Sequence, residues 1–231
     1  MPEPTHLSHP ILTADGSYSL YNKRYSQSFH SDKGALTESL HVFVEGCDIA
    51  GILQEPVRVL EVGFGTGLNF FLTASLCLKL GKSLHYEALE QELLSAEILE
   101  SLAYRNFSDL ELFESYLEFR RDLTEPLKGR HSFHFGSVTL QLLLGEATAQ
   151  DLPQQRFQAI YLDAFSPEAN PELWSSEFLA KLYAALERGG KLASYCVKGE
   201  VRRRLKGLGF EIKKRRGPPG GKKEVLLAQK L

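Results

Sequence analysis

The feature that most constrains the fold is a glycine-rich turn between a short apolar run and an apolar helical stretch. The run Val57–Val62 is followed by Gly63-Phe-Gly-Thr-Gly67, and the helical stretch after it ends near Leu80. Glycines at such a turn allow a sharp bend and a close approach of the backbone to a ligand, and the first amides of the helix face that ligand. A strand, a glycine turn and a helix in this order predict a ligand site at the carboxyl end of a parallel strand.

The rest of the chain continues the alternation of strands and helices. Predicted strands are 57–62, 83–90, 138–144, 157–163, 191–197, 210–214 and 224–229, and predicted helices are 35–44, 68–80, 93–103, 109–127, 172–187 and 200–208. This alternation predicts an α/β fold with a doubly wound, mostly parallel sheet. Gly189-Gly190 is expected to end the helix 172–187. A short Gly/Pro loop, 217–221, predicts a C-terminal antiparallel hairpin. We expect residues 51–231 to form the main domain, with 1–50 as a small N-terminal β/α extension packed on it.

The charge of the chain is distributed unevenly. The net charge is −2, but residues 198–231 carry 12 Lys/Arg and 3 Asp/Glu, a charge of +9, and the 197 residues before them carry −11. With 43% hydrophobic and 24% charged residues, disordered and fibrous classes are excluded. The basic end suits an RNA backbone. A solvated edge that deters aggregation is the alternative.

Targeting and metal-binding signals are missing from the sequence. Residues 1–16 lack the basic and apolar regions of a signal peptide, and the apolar stretch 70–80 is too short to span a bilayer. Cys47, Cys77 and Cys196 are scattered, and the histidines show no metal-ligand spacing. We therefore expect a cytoplasmic protein that binds neither metal nor membrane.

The glycine turn favours S-adenosylmethionine over a nicotinamide cofactor. Its spacing is G-x-G-x-G, because Leu68 stands where a dinucleotide enzyme has its last glycine. The tighter turn, with an acidic residue before it, suits a ligand that carries an ammonium group. Glu90 ends the next strand, where a carboxylate accepts from ribose hydroxyls. The expected cofactor residues are Glu61, Gly63, Gly65, Gly67, Asn69, Glu90, Gly145 and Glu146, the last two placed to contact adenine.

The loop after the strand 157–163 is the candidate reaction site. Asp163 opens the segment Asp-Ala-Phe-Ser-Pro-Glu-Ala-Asn-Pro-Glu-Leu-Trp174 at the carboxyl edge of the sheet. An aliphatic amine is protonated in water, so an enzyme that alkylates it must take up or direct a proton. Asp163 is the candidate for this catalytic role, and a helix N-cap or a loop brace is the alternative. For Trp174, base stacking and a core anchor remain open.

Three segments carry a resemblance to a known family. The glycine turn EVGFGTGLNF, the loop LDAFSPEANPELW and the end FEIKKRRGPPGGKKEVLLA, together with SFHSDKGALTESLHVF upstream, resemble the tRNA 5-methylaminomethyl-(2-thio)uridine methyltransferase family. This family forms the methyltransferase half of bifunctional MnmC proteins and also occurs alone as MnmD. The resemblance implies a Rossmann-like class I methyltransferase fold. It also implies methyl transfer from S-adenosylmethionine to the primary amine of 5-aminomethyl-(2-thio)uridine at the tRNA wobble position, with Asp163 next to that amine.

The resemblance also implies partners and substrate contacts. The expected partner is a tRNA anticodon stem-loop, and other enzymes would supply the aminomethyl group, since 231 residues leave no room for the oxidase half. Expected substrate residues are Ser31, Glu38, Phe165, Pro167, Asn170, Trp174, Arg215, Lys222 and Lys223. Ser31 and Glu38 have a second interpretation, as braces of the N-terminal segment. The family's Gly-Phe-Ala-Pro after the aspartate is here Ala164-Phe-Ser-Pro167.

Two other functions stay open from the sequence. An aminopropyltransferase of the spermidine synthase type shares the fold, an amine acceptor and an aspartate loop. Its glycine turn normally carries an extra acid, which Thr66 replaces here. The second alternative is a methyltransferase fold that has lost catalysis and binds RNA.

Overall fold

The computed structural model describes residues 9–231. Residues 1–8, on which part of the signal-peptide expectation depends, lie outside the described residues. The first described elements are two small antiparallel hairpins, which pair β1 (Ile11–Leu12) with β2 (Tyr18–Ser19) and β3 (Tyr21–Asn22) with β4 (Gln27–Ser28). Helix α1 (Ala35–Ser39) follows and continues as a π-helical turn, Leu40–Val44. These elements pack on the sheet, because Leu20, Val42 and Phe43 are buried in the same apolar cluster as its strands.

One eight-stranded sheet organises the chain. Its strands are β5 (Val57–Val62), β6 (Leu84–Glu90), β7 (Gly129–Phe135), β8 (Val138–Leu144), β9 (Phe157–Leu162), β10 (Leu186–Ser194), β11 (Phe210–Arg216) and β12 (Glu224–Lys230), in the order β11-β12-β10-β9-β5-β6-β8-β7. Strands β10, β9, β5, β6 and β8 are parallel, β7 is antiparallel to β8, and β12 is antiparallel to β10 and β11. The predicted doubly wound, mostly parallel sheet with a C-terminal hairpin is confirmed.

Helices cover both faces of this sheet. They are α2 (Leu68–Lys79), α3 (Ala96–Ser101), α4 (Leu110–Asp122), α5 (Ser176–Ala185) and α6 (Gly199–Gly207). Residues of α2, α3 and α4 belong to one buried apolar cluster, and residues of α5 and α6 belong to the other. Short side chains cap three of these helices, since Ser95 accepts from the Ile98 amide, Asp109 from the Leu112 amide and Ser175 from the Phe178 amide.

The pleat of β5 decides where its polar residue lies. Val57 and Val59 belong to the cluster on the α2 side, whereas Leu60 and Val62 belong to the cluster on the α5 side. Because side chains alternate along a strand, Glu61 projects to the α2 side, underneath the helix that follows the glycine turn.

The predicted end of the helix 172–187 at Gly189-Gly190 is wrong. A short 3₁₀ turn, Pro171–Trp174, precedes α5, which ends at Ala185. Leu186 already pairs with Phe157 in the sheet and is completely buried. Burial of this side chain outweighs the local preference of the two glycines, which lie inside β10 at a break in its register. The edge strand β7 was also absent from the predicted strands.

Two further properties concern residues 9–231 only. None of their helices combines the length and the apolar character needed to cross a membrane. Within the same range, no three His, Cys, Asp or Glu side chains are grouped to hold a metal ion.

Candidate active site

A cavity of about 340 Å³ opens at the carboxyl ends of β5, β6, β8 and β9. Residues predicted from the sequence supply much of its lining, namely Gly63, Gly65, Glu90, Gly145, Glu146, Asp163, Phe165 and Asn170. These residues come from four separate strand ends, which the parallel sheet brings to one edge. The structure therefore places the cofactor and reaction candidates around a single space.

The glycine turn is needed for both its backbone conformation and its close contacts. Gly63 has a φ of +88° and Gly65 a φ of +52°. Residues other than glycine rarely adopt such positive values. A Cβ on Gly63 would lie 2.9 Å from the Asp163 carbonyl oxygen, and one on Gly65 would lie 2.9 Å from the Phe29 ring. Gly67 begins α2 as its N-cap and lies outside the cavity lining. The turn thus lets the Asp163 loop and Phe29 close in on the cavity.

Glu90 anchors the turn from the next strand. One carboxylate oxygen accepts from the Gly65 amide at 2.8 Å, and the other accepts from the Gln91 and Glu92 amides at 2.7 and 3.0 Å. Burial raises the pKa of Glu90, although these amides act in the opposite direction. Each carboxylate oxygen has two acceptor sites, so Glu90 can hold the turn and still accept from one ribose hydroxyl at the oxygen that binds Gly65.

The far end of the cavity is formed after β8. The Gly145 amide donates to the Glu90 carbonyl oxygen at 2.9 Å, which joins the two strand ends. Glu146 is exposed, lines the cavity and accepts from the Thr148 hydroxyl at 3.3 Å. Both residues lie where the sequence predicted an adenine contact.

Asp163 lies beside the glycine turn, immediately after β9. Its amide donates to the Val62 carbonyl at 3.0 Å, and its carboxylate Oδ2 accepts from the Asn69 amide at 2.8 Å. Burial raises the pKa of this carboxyl group well above its ordinary value, and the charges of Glu61 and Glu38 raise it further. It caps no helix, because Asn170 and Ser175 precede the helical segments that follow. As a half-buried residue of the cavity lining, Asp163 can accept a proton while its carboxyl group is ionised.

Glu61 and Asn69 do not face the cavity, contrary to the cofactor contacts predicted for them. Both are buried, at 0% and 2% exposure. Glu61 Oε1 accepts from Asn69 Nδ2, and Oε2 accepts from the Tyr86 hydroxyl, each at 2.8 Å. The alternation of β5 turned Glu61 under α2, where Asn69 meets it.

An aromatic cluster covers the cavity, and two of its members, Tyr25 and Phe29, were not predicted from the sequence. Tyr25 stacks on Phe165 with 4.6 Å between ring centroids, and Phe29 meets Phe165 edge-on at 5.5 Å. Gln27 exchanges two hydrogen bonds with Ser166, which fixes the β3–β4 hairpin to the Asp163 loop. The segment SFHSD around Phe29 resembled the family, but its sequence does not indicate that it folds over the glycine turn.

Trp174 and Pro167 are buried supports of the loop. Trp174 is 0% exposed, its indole N–H donates to the Phe165 carbonyl at 2.8 Å, and its own carbonyl accepts from Arg204. Pro167 is also buried and does not line the cavity. The predicted substrate contacts of these two residues do not agree with this placement, and Trp174 occupies the position of a core anchor. Asn170 does line the cavity.

A second group of charged side chains adjoins Asp163. Glu38 accepts from the Ser31 amide at 2.8 Å, which braces the N-terminal segment. Burial raises the pKa of Glu38, and the Lys222 charge acts against this rise. The Lys222 ammonium lies 4.1 Å from the ring centroid of Tyr195, a residue of the cavity lining that sequence reasoning missed. Lys222 thus reaches from the C-terminal hairpin towards the reaction site.

The remaining basic candidates differ in their surroundings. Arg215 donates to the His41 carbonyl at 2.7 Å and pairs with Glu45 at 3.3 Å, so it ties β11 to the π-helical turn. Its predicted phosphate contact does not agree with this bracing position. Lys223 is exposed, and Lys214 pairs with Glu224 at 3.0 Å.

His30 is the histidine of the cavity lining. Burial lowers the pKa of its ring to about 4, although Asp15 acts to raise it. A base this weak accepts few protons from an ammonium group, and Asp163 is therefore the stronger acceptor at this site.

The residues present fit S-adenosylmethionine. The glycine cradle excludes side chains, Glu90 has an acceptor site left on one wall, and the acidic residues Glu146 and Asp163 also line the cavity. A cavity with these properties accepts a cationic nucleoside.

The comparisons with known proteins agree with this chemistry. A family model described as S-adenosyl-L-methionine-dependent methyltransferase matches residues 111–231. The tRNA 5-methylaminomethyl-2-thiouridine biosynthesis bifunctional protein MnmC of Cupriavidus metallidurans is 35% identical, over 96% of this chain and 34% of its own length. Its counterpart in Leptospira borgpetersenii is 34% identical, over 90% of this chain and 32% of its own. The chain thus spans about a third of the length of these curated relatives.

Two solved structures are similar to this chain in fold. The crystal structure of MNMC2 from Aquifex aeolicus superposes with a TM-score of 0.75 at 29% identity, covering 99% of this chain and 72% of that one. Spermidine synthase from Thermotoga maritima superposes with a TM-score of 0.58 at 12% identity, covering 100% of this chain and 74% of that one. The second likeness is one of fold alone.

Proposed function

The chain belongs to the family of S-adenosyl-L-methionine-dependent methyltransferases, and from this membership we propose that its acceptor is an amine on tRNA. The acceptor is the primary amine of 5-aminomethyl-(2-thio)uridine at the wobble position, and the product is 5-methylaminomethyl-(2-thio)uridine. The names of the bifunctional relatives support this acceptor. The Aquifex aeolicus MNMC2 structure supports it through its likeness over almost the whole chain.

The observation that carries the proposal is the position of the Asp163 carboxyl group. It lies on the cavity wall next to the glycine turn. Its pKa is raised well above the ordinary value by burial and then by the charges of Glu61 and Glu38. An alkylammonium acceptor must lose a proton before its nitrogen can react, and Asp163 in its ionised form can accept that proton.

Different residues along the cavity have different roles in the proposed reaction. When bound, S-adenosylmethionine supplies an electrophilic methyl group. Glu90 and Gly145 form the nucleoside side of the cavity, and Gly63 and Gly65 bring the backbone close to the ligand. Asp163 holds the substrate ammonium group, orients the nitrogen and receives its proton. The aromatic cluster of Tyr25, Phe29 and Phe165 excludes water from the Asp163 end of the cavity.

The C-terminal hairpin supplies the nucleic-acid side of the proposal. Residues 198–231 carry a charge of +9, and Lys222 lies on Tyr195 at the cavity while Lys223 is exposed. Cationic side chains of this kind bind a phosphate backbone. We place the protein with tRNA in the cytoplasm. Other enzymes must supply its substrate, because the reaction consumes an amine already attached to the base.

The two alternative functions are less well supported. Thr66 occupies the position of the extra acid expected in aminopropyltransferases, and it is buried with its hydroxyl bonded to the Tyr104 hydroxyl at 2.9 Å. Thr66 therefore offers no charge to a polyamine substrate. A non-catalytic role is disfavoured by Asp163 and the glycine turn, which line one cavity.

Methyl transfer to defined tRNA tests the proposal. Purified protein is mixed with methyl-labelled S-adenosylmethionine and tRNA that carries 5-aminomethyl-uridine or its 2-thio form. Nucleosides are then separated and identified by mass spectrometry. We expect one methyl group on the exocyclic amine, and none on matched tRNA without the aminomethyl group.

Cells that lack the gene provide the complementary measurement. Their tRNA should accumulate 5-aminomethyl-uridine, and the purified protein should convert this nucleoside in extracted tRNA. Binding of S-adenosylmethionine by calorimetry without any transfer to this tRNA would refute the acceptor while leaving the methyltransferase family intact.

A further inference from the structure

A chain of buried hydrogen bonds runs from the sheet interior to the reaction carboxylate. The Tyr86 hydroxyl donates to Glu61, and the amide of Asn69 donates to Glu61 and to Asp163. The three bonds are each 2.8 Å long. Tyr86, Glu61 and Asn69 are at most 2% exposed, so water does not compete for them.

Asparagine is chemically suited to its place in this chain. Its Nδ2 carries two hydrogens, and one points to Glu61 Oε1 while the other points to Asp163 Oδ2. One uncharged group therefore satisfies one oxygen on each of two carboxyl groups, from β5 and from the loop after β9. Asn69 binds Oδ2, which leaves both acceptor sites of the Asp163 Oδ1 atom clear of this bond for a ligand in the cavity.

We propose that Asn69 and Glu61 are positioning residues for Asp163, with the Asn69 amide fixing the orientation of the reactive carboxylate and Glu61 fixing the orientation of Asn69. This inference rests on the proposed function, because it takes Asp163 as the proton acceptor. It differs from the sequence expectation, in which both residues contact the cofactor.

Glu61 also acts on Asp163 through its charge. Its charge raises the pKa of Asp163, together with burial and with the charge of Glu38 from α1. Lys222 from the C-terminal hairpin acts in the opposite direction. Two further ionisable groups are affected by this carboxyl group, Tyr86 from β6 and Tyr195 after β10. Burial raises the pKa of each, and the charge of Asp163 raises it further.

The test is a direct titration of Asp163 in the full chain. Aspartate carboxyl carbons are labelled with ¹³C, the Asp163 resonance is assigned with Asp163→Asn, and its chemical shift is followed against pH. Glu61→Gln keeps the shape of the side chain and removes the negative charge that Glu61 gains as the pH rises through its pKa of about 8. We expect the Asp163 midpoint to fall by about one pH unit, as for loss of a nearby like charge. The dissociation constant for S-adenosylmethionine should stay within about threefold.

Glu87→Gln is the matched control. Glu87 is a buried glutamate of β6 that pairs with Arg156 at 3.2 Å, outside the hydrogen-bond chain. It should leave the Asp163 midpoint unchanged. Asn69→Ser is a second test, expected to lower kcat for methyl transfer about a hundredfold while KM for S-adenosylmethionine changes little. If Asn69→Ser does not fold, the titration with Glu61→Gln decides alone.

Three results would overturn the inference. The Asp163 midpoint does not move in Glu61→Gln, or it moves equally in Glu87→Gln, or S-adenosylmethionine binding weakens about tenfold or more, as for a cofactor ligand. A wild-type protein that methylates no tRNA would refute the proposed function instead. The titration and the binding constants would still decide this inference.

Discussion

Glu61 should make the protein less stable as the pH rises. It is 0% exposed, and burial raises its pKa from 4.5 to about 8. In the unfolded chain the group ionises near 4.5, so between these values the unfolded state binds fewer protons than the folded state. The stabilising contribution of this carboxyl group is therefore complete below pH 4.5 and is lost progressively up to about pH 8.

The magnitude follows from the size of the pKa difference. A rise from 4.5 to about 8 corresponds to as much as about 5 kcal/mol of unfolding free energy. Glu61→Gln removes the titration, and the amide of glutamine can still bond with Asn69 and Tyr86. The variant should match the wild type near pH 4.5 and exceed it above pH 8. The difference is large beside a typical total stability of about 5–15 kcal/mol.

Urea unfolding at a series of pH values measures this effect. The unfolding free energy of each variant is extrapolated to water and compared with the wild type at the same pH. Glu87→Gln is the control of opposite sign. Burial acts to raise the pKa of Glu87, but His85 and Arg156 outweigh it and hold the pKa below its ordinary value. Glu87→Gln should therefore destabilise the protein at neutral pH and have less effect in acid.

A flat difference between wild type and Glu61→Gln from acid to alkaline pH would refute the reasoning. It would mean that Glu61 ionises in the folded protein as readily as in the unfolded chain. A stability gain of equal size in Glu87→Gln would also contradict it, because the two glutamates are buried alike but differ in their partners.

Three further predictions concern the cavity. Asp163→Ala should keep S-adenosylmethionine affinity in calorimetry and lower methyl transfer by about 100-fold or more, since a proton acceptor is lost. Gly65→Ala should weaken S-adenosylmethionine binding, because its Cβ would lie 2.9 Å from the Phe29 ring at a φ of +52°. Lys222→Glu should change kcat for tRNA as well as the salt dependence of tRNA binding, whereas Lys223→Glu should change only the salt dependence, as for a phosphate contact.

Each of these predictions has an outcome that contradicts it. Near-wild-type turnover in Asp163→Ala would return this residue to a structural role. Unchanged cofactor affinity in Gly65→Ala would show that the aromatic cluster adjusts to the added methyl group without a loss of binding free energy. Identical kinetics for Lys222→Glu and Lys223→Glu would mean that the position of Lys222 over the Tyr195 ring has no part in the reaction.

The positions of residues at the ends of strands follow from the sequence. Glu90, Gly145 and Asp163 were chosen because each follows an apolar strand, and all three line the cavity. Parallel strands bring their carboxyl ends to one edge, so the position of such a residue follows from the pattern of the strand. Glu61 was inside a strand, and its orientation was also encoded, since Val57 and Val59 predict the face on which it lies.

Contacts between distant segments could not be predicted in this way. Gln27 meets Ser166 across 139 positions of the chain, and no local pattern marks that pairing. The same holds for Trp174, whose indole could equally have faced solvent until the loop folded over it. Arg215 belonged to a run of basic residues, and only the packing of β11 against the π-helical turn gave it Glu45 as a partner.

The sequence by itself determined the alternating α/β architecture, the glycine turn, the aspartate at a strand end and the basic C-terminal segment. These features depend on the periodicity of helices and strands and on residue types within short segments, which act locally. The tertiary structure alone decided which side chains share the cavity: the hairpin with Tyr25, the ring of Tyr195 beneath Lys222, and the Asn69 amide between two carboxyl groups. These arrangements arise because burial of apolar surface brings together segments that the chain itself keeps far apart.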